Sequence, residues 1–483
     1  MKKVIVKINI RGGILSPGDL NNILETADNL KCETIHLGER QNLYLEIEED
    51  QTEAVKKKFE EWHYDFEIDS NIYPNIISSY GAENLYTTFN NWLSEGIYRD
   101  VLDSFDFKPS IKINIVDNTQ GLIPLFTGNL NFISSASPNF WYLYVRKPSS
   151  QQSNCWPELI YGTDISAISK VLEDLMNREA NLNFIQLYSQ VQEKHKFITI
   201  EKELDLVLPR VRFPYYEGMN KLGDGYWLGI YRRNNDFTRQ FLKSLCALCF
   251  QTKIGLLNLT SWKSLLIKGI KEEDRIKWEM LLGKYGINIR HSSIELNWQI
   301  KDGDKFGLKL KKYLIKKFDN RDIRTYGLSF AIRNGHMNIH SSIILDRKPV
   351  INILGVKVFD LYDISYAEGF NPNNQNYSLF AQKISKKHLT DYIVELCRIY
   401  YAQLNLDTVS TPQQFGEDQN SSTSLLLPQC IHCFTVYNEN IGDPFAGILA
   451  GTSFESLPET YNCPLCDNPK KDFVKNHIHV VIK

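Results

Sequence analysis

The chain lacks an excess of either charge. Lys and Arg together number 55 against 57 Asp and Glu, for a formal net charge of −2. That balance excludes the basic footprint of a nucleic-acid binder. No basic amphipathic run of the kind that lies on a membrane surface stands out either. No apolar stretch approaches the roughly 20 residues needed to span a bilayer. Met1-Lys2-Lys3 opens the chain, but Lys7 and Arg11 interrupt the residues after it, so a secretory apolar core is missing. These absences give the expectation of a cytoplasmic protein with no nucleic acid and no membrane among its partners. There is also no phosphate-binding glycine loop and no Ser/His/Asp order that would carry nucleophilic catalysis. What is present is ordinary for a globular protein: 43% hydrophobic and 23% charged residues over 483 positions, a length that suggests three or four units.

Cysteine is scarce and unevenly placed. Of nine, Cys430, Cys433, Cys463 and Cys466 form two Cys-x-x-Cys pairs, and Cys246 and Cys249 form a third, while Cys32, Cys155 and Cys397 stand alone. In a reducing compartment, paired cysteines point to metal or redox work rather than a disulfide framework.

The stretch Asp407 to Ser424 is polar and aperiodic and reads as a linker. The body before it holds two similar halves. Residues 4–10 alternate as a strand, Ser16-Pro17 opens a helix to about Leu30, 34–47 reads as a hairpin and 51–62 as a helix. The second half repeats the order: GYWLGIYRR as a strand, Asn235-Asp236 capping a helix to about Phe250, 253–270 as a hairpin and 271–285 as a helix. Strand-rich portions come next in each half, clearest at Ser110–Val116 and Phe140–Arg146, then Gly327–Arg333 and His336–Leu345. Helices near 164–177 and 387–403 close them. Strand, helix, strands, helix, twice over, fits duplicated split β-α-β units.

Four thiolates around one ion make a tetrahedral sulfur site that suits iron or zinc. Two residues between paired cysteines let a tight loop aim both sulfurs, and backbone N–H groups, at one metal. The 29 residues between the pairs (434–462) exceed the roughly 15–20 of a zinc ribbon. Between and after the cysteines stand Tyr437, Gly442-Asp443-Pro444, Gly447, Gly451-Thr452 with Phe454, Leu457-Pro458, Cys463-Pro464-Leu465-Cys466 and Phe473. In order and spacing these residues closely resemble the rubredoxin family. The chain departs from that pattern at Phe434 and Asp467, where the family usually has glycine. It also has Tyr461 for the usual core Trp and Thr435 for a Tyr. The resemblance implies one iron ion (Fe2+/Fe3+) held by Cys430, Cys433, Cys463 and Cys466, with no open position for substrate and hence single-electron transfer. Six carboxylates against three lysines over 428–475 give this module an acidic surface that can be steered to a redox partner.

In the body, Gly12-Gly13 before a helix and Arg40-Gln41 in a hairpin beyond it, then PSIKINI, GNLNFIS and FWYLYVR, are similar to the ferredoxin-like half-domains of sirohaem nitrite and sulfite reductases. LNLTSWKSLLI and ELNW resemble the pseudo-repeat. Those enzymes ligate a [4Fe–4S] cluster with two cysteine pairs, but no cysteine lies between Cys249 and Cys397 here, so the cluster is expected to be absent. Sirohaem carboxylates need several cationic partners. Arg40, Lys112 and Lys263 are the candidates, and three are too few, so sirohaem is expected to be absent as well.

The implied fold class is α+β. A duplicated ferredoxin-like, sulfite-reductase-like body (1–205 and 206–405) is joined by a linker (406–427) to a small, mostly irregular rubredoxin-type iron-knuckle domain (428–475). These features imply an electron-transfer protein rather than a catalyst, whose body docks the iron module on a redox partner. The resemblance implies that this partner belongs to nitrite, nitrate or sulfite assimilation, such as an assimilatory nitrite or nitrate reductase. The alternatives are a sirohaem-binding reductase subunit and a structural zinc module. Cys246 and Cys249 read as core residues of an amphipathic helix. His477 and His479 read as an ordinary strand face, and His291, His336 and His340 show no ligand spacing.

Overall fold

The structure, a computed structural model, describes residues 2–480 apart from 86–91, 149, 151, 180, 210–214, 288–294, 322, 324, 336–339, 350–351, 354–355, 358–359, 410–422, 432–435, 440–441, 444–445, 447, 450 and 465–467. It divides into two compact units, Met1–Cys397 and Arg398–Lys483.

The first unit is built twice from one plan. Strand Lys3–Asn9 leads through a tight turn to helix Pro17–Asn29, hairpin Thr34–Leu37/Asn42–Glu48 and helix Thr52–Glu61. Ser16 caps the first helix by accepting a hydrogen bond from the Asp19 amide at 2.9 Å, with Pro17 at the first position. Strand Gly225–Tyr231, helix Arg239–Thr252, hairpin Leu257–Leu259/Ser264–Lys271 and helix Arg275–Lys284 repeat the order. The expected cap at Asn235-Asp236 is corrected: Thr238 caps the second helix, and Asp236–Thr238 is a strand.

That short strand explains the miss, because it does not pair within its own half. Asp236–Thr238 pairs antiparallel with Thr34–Leu37 of the first half, and Ile14–Leu15 pairs antiparallel with Leu257–Leu259 of the second. Equivalent segments are thus exchanged, and each five-stranded sheet is completed by the other half. One hydrophobic core serves both, with Ile8, Leu24 and Phe59 in the same cluster as Leu228, Cys246 and Trp278.

The second portions also match. In one, Ile77–Ser78, Ile113–Val116 and Leu130–Ser134 run parallel before Phe140–Val145 turns antiparallel. In the other, Trp298–Gln299, Phe330–Asn334 and Ile343–Pro349 run parallel before Asp360–Ala367 turns antiparallel. The crossover helix of the second copy, Lys305–Asp319, corrects one expectation: it is a basic amphipathic run. Its apolar side (Leu310, Leu314, Phe318) is buried, so that side faces protein rather than lipid. Among the described residues no helix is long and apolar enough to cross a membrane.

The second unit is a two-stranded ribbon, Thr423–Cys430 against Phe473–Val480, with irregular loops between. Helix Leu389–Val409 runs past residue 405, and residues 410–422 of the stretch read as linker lie outside the described residues.

The exchange places Gly13 against the other half. Its φ is +71°, and a Cβ there would sit 2.6 Å from the Leu259 carbonyl oxygen. Gly13→Ala is therefore expected to destabilise the body by about 2 kcal/mol or more. Gly283→Ala, in a helix with nothing within 4 Å of the new Cβ, should instead stabilise by about 0.5–1 kcal/mol. Urea midpoints of the two variants should move in opposite directions.

The exchanged strand also carries an ion pair, His36 Nδ1 to Asp236 Oδ1 at 2.5 Å. The Asp236 hydrogen bond raises the His36 pKa. Its contribution is complete below the unfolded histidine pKa of about 6.5 and is lost as pH rises through the raised folded value. Both side chains are more than a third exposed, so Asp236→Asn should cost under about 1 kcal/mol. The cost should be visible by urea unfolding at pH 5.5 and absent at pH 9.

Candidate metal centre and the buried cation cluster

The C-terminal unit builds two matching turns. Gln429 bridges Val436 and Asn462 bridges Pro469, so each Cys-x-x-Cys is bracketed by the residue before its first cysteine and the third residue after its second. The next hydrogen bonds repeat the match: the Tyr437 amide donates to the Pro428 carbonyl at 2.8 Å, and the Lys470 amide to the Tyr461 carbonyl at 2.8 Å. The first cysteine of each turn is buried, Cys430 at 0% and Cys463 at 2% exposure. The two lie close together and are not joined in a disulfide. Cys433, Cys466, Phe434, Thr435 and Asp467 lie outside the described residues. Two equivalent turns, each offering a buried thiol, fit a soft metal that takes sulfur ligands.

An aromatic core supports the turns. Tyr437, Phe454 and Tyr461 are buried with Leu457, and Phe473 packs on them. The Phe454 and Phe473 ring centroids are 5.1 Å apart, and those of Tyr437 and Tyr461 are 5.9 Å apart. Tyr461, where the resemblance expects Trp, donates its hydroxyl to Asp443 Oδ2 at 3.0 Å. Burial first, and that hydrogen bond second, push the Tyr461 hydroxyl above the usual phenol range. Gly442 has φ +70°, and a Cβ there would meet the Ile448 oxygen at 2.6 Å, which is why glycine precedes Asp443.

The three cations proposed from the sequence come together in the body. Arg40, Lys112 and Lys263 all act on the Glu39 carboxylate. Arg40 sits in the turn between two strands of the first sheet and is already satisfied. Its guanidinium donates to the Asn75 carbonyl (3.2 and 2.7 Å), Asn114 Oδ1 (2.8 Å) and the Ile113 carbonyl (2.9 Å), and burial pulls its pKa down to about 9. Lys263 donates to the Ile300 carbonyl at 2.7 Å and pairs with Asp302 at 2.6 Å. Lys112 is lowered by burial. Two of the three cations are thus consumed by protein groups, and the trio does not fit the several free cations that a tetrapyrrole's carboxylates require.

Sequence reasoning missed Glu39 and Asp302. Burial and Asp302 raise the Glu39 pKa, and the Glu39 amide donates to both Asp302 oxygens at 3.2 and 3.1 Å. Glu39 could have been found beside Arg40, whereas nothing in the sequence ties it to a residue 263 positions away.

Cys246 and Cys249 are fully buried, with burial pushing both thiols up to about 12, as core packing expects. His340 is buried and pulled down to about 3, while His291 and His336 lie outside the described residues. His477 and His479 stand opposite Leu426 and Ser424 in the ribbon.

Comparison with known proteins agrees with both parts. The rubredoxin profile matches residues 428–473, and that of the nitrite/sulfite reductase ferredoxin-like half domain matches residues 1–62. Rubredoxin-2 of Chlorobaculum tepidum is 49% identical over 47 residues, 10% of this chain and 90% of that protein. The probable rubredoxin HupI of Bradyrhizobium diazoefficiens is 41% identical over 66 residues, 14% of this chain and 94% of that protein. Of the longer high molecular weight rubredoxin of Moorella thermoacetica the chain matches only 34%, at 37% identity over 78 residues, 15% of this chain. The body shares its fold with the Mycobacterium tuberculosis NirA protein: TM-score 0.63 at 14% identity, over 82% of this chain and 81% of that one.

Tyr461→Phe would strip a buried carboxylate, Asp443 (5% exposed), of one hydrogen bond. A cost of about 2 kcal/mol is expected, read as a lower urea midpoint for loss of the C-terminal unit's near-ultraviolet signal.

Proposed function

We propose that this chain, which belongs to the rubredoxin family through its C-terminal domain, is a one-electron carrier whose reductase-like body docks it on a redox partner. The carrying observation is the pair of matching turns that bury Cys430 and Cys463 side by side. Bound iron supplies a single-electron Fe3+/Fe2+ couple. The cysteines would hold it with no position left for substrate, and the aromatic core under the turns keeps water from that side. Ile431, 47% exposed next to the buried Cys430 in the chain, would bring bound iron within a residue of the surface, where an electron could cross to a docked protein.

The body's likeness to nitrite/sulfite reductase half-domains supports a place in nitrite, nitrate or sulfite assimilation, with an assimilatory nitrite or nitrate reductase as the partner. Its internally paired Arg40 and Lys263, and the lack of cysteine between 249 and 397, support a scaffold without sirohaem or [4Fe–4S].

The test is a visible spectrum before and after dithionite, with metal analysis of the same sample. The expected result is about one iron per chain, ferric-thiolate bands that bleach, and no tetrapyrrole bands. Cys430→Ser or Cys463→Ser should abolish those bands. Stoichiometric zinc with no iron in protein made under iron-replete conditions would make the domain structural, and tetrapyrrole bands would make the body a reductase.

A further inference from the structure

The crossover helix Lys305–Asp319 presents a stripe of positive charge. Lys305, Lys309, Lys312 and Lys316 are all exposed, at spacings of i, i+4, i+7 and i+11, which place them on one face over about 16 Å. Elsewhere in the chain several helix cations pair within their own helix. Arg99 pairs with Glu95 at 2.8 Å, Arg275 with Glu279 at 2.9 Å and Lys58 with Glu61 at 3.3 Å. None of the four stripe lysines has an ion pair among the described residues. Like charges at i,i+4 weaken a helix, while Lys305 in the first turn opposes the macrodipole and Lys316 in the last turn complements it, so the repulsion along the stripe is the cost the helix carries.

The surroundings reinforce the charge. Lys386, from the turn after strand Tyr377–Ser385, lies 4.6 Å over the ring of Tyr313 on the same helix. The carboxylates nearby are already engaged or terminal: Glu46 is held by Lys3, Asp304 caps the helix by accepting from the Gly307 amide at 2.9 Å, and Asp319 ends it.

We propose that this lysine face is the docking surface for a protein electron carrier with a carboxylate-rich face. The inference rests on reading the chain as an electron-transfer protein, and it adds the chemistry of the partner. A membrane is disfavoured because the helix's apolar side is buried in the body, leaving nothing to insert. Nucleic acid is disfavoured by the net charge of −2 and by the absence of an aromatic row on the stripe for base stacking. An acidic protein needs only complementary charge, which steers encounter and sets register.

The test uses the full chain, immobilised, with flavodoxin as an acidic probe and cytochrome c as a basic control, and reads association rates as salt is raised. Because no electron is transferred, the readout does not depend on the metal, and the visible spectrum with metal analysis tests the electron-transfer reading separately. Association with flavodoxin should fall at least about tenfold between low and physiological salt. The variant carrying Lys305→Glu, Lys309→Glu, Lys312→Glu and Lys316→Glu should associate about tenfold or more slowly at low salt and lose the salt dependence. Lys56→Glu with Lys57→Glu, on an exposed helix face elsewhere, should behave as wild type. If the reversal variant loses its circular dichroism signal, the four Lys→Gln changes replace it, with a smaller effect of the same sign. The proposal is overturned if the stripe variant matches wild type, if cytochrome c associates as fast as flavodoxin, or if duplex DNA or anionic vesicles bind the wild type in preference to flavodoxin.

Discussion

Two short strand pairings hold the body together: Ile14–Leu15 against Leu257–Leu259, and Asp236–Thr238 against Thr34–Leu37. Each takes a segment that its own half could have used and completes the other half's sheet. The exchange makes the repeats inseparable, because neither sheet is whole and neither core is closed alone. It also forces the backbones to approach closely, which is why Gly13 takes a left-handed conformation against the Leu259 carbonyl. The turn holding Arg40 and the matching turn holding Lys263 inherit their positions from this arrangement. Gln41 and Lys263 share a positive φ, +55° and +60°, at equivalent places.

Charge is handled in two opposite ways in this unit. Inside, Arg40 is bonded to carbonyls and an amide, Lys263 is paired with Asp302, and Glu39 shares their field, because a buried charge without a partner is expensive. Outside, Lys305, Lys309, Lys312 and Lys316 make no ion pair among the described residues, where water makes that cheap. Internal pairing closes a site, whereas unpaired surface charge invites an opposite surface. A protein that moves electrons between others has use for the second. The C-terminal unit obeys a third logic: its polar groups serve geometry, with Tyr461 on Asp443 and amides on the carbonyls flanking the cysteines.

Much was legible from the chain alone. The rubredoxin character of the C-terminal domain could be read because its pattern is local: Cys-x-x-Cys, Gly442 and the aromatic spacing each act over a few residues. The duplicated order of strands and helices was legible because hydrophobic period is local too, down to Ser16 and Pro17 opening the first helix. The cap of the second helix was misread, since Asp236 looks like a capping residue by local rules and becomes a strand only through Thr34–Leu37, far earlier in the chain. The basic helix was overlooked because the whole-chain charge balance hides a local run.

The sequence by itself determined the rubredoxin character of the C-terminal domain, since the residues that carry it lie in short stretches around the cysteine pairs. Only the tertiary structure decided the fate of the body's cations. Whether an arginine or lysine is free to meet a ligand depends on which distant carbonyl or carboxylate reaches it first. For Lys263 that was Asp302, and for Arg40 the carbonyls of Asn75 and Ile113. Those meetings join the hairpin turn of each half to the later portion of the same half, 35 and 73 positions along the chain for Arg40, a separation that no local pattern encodes.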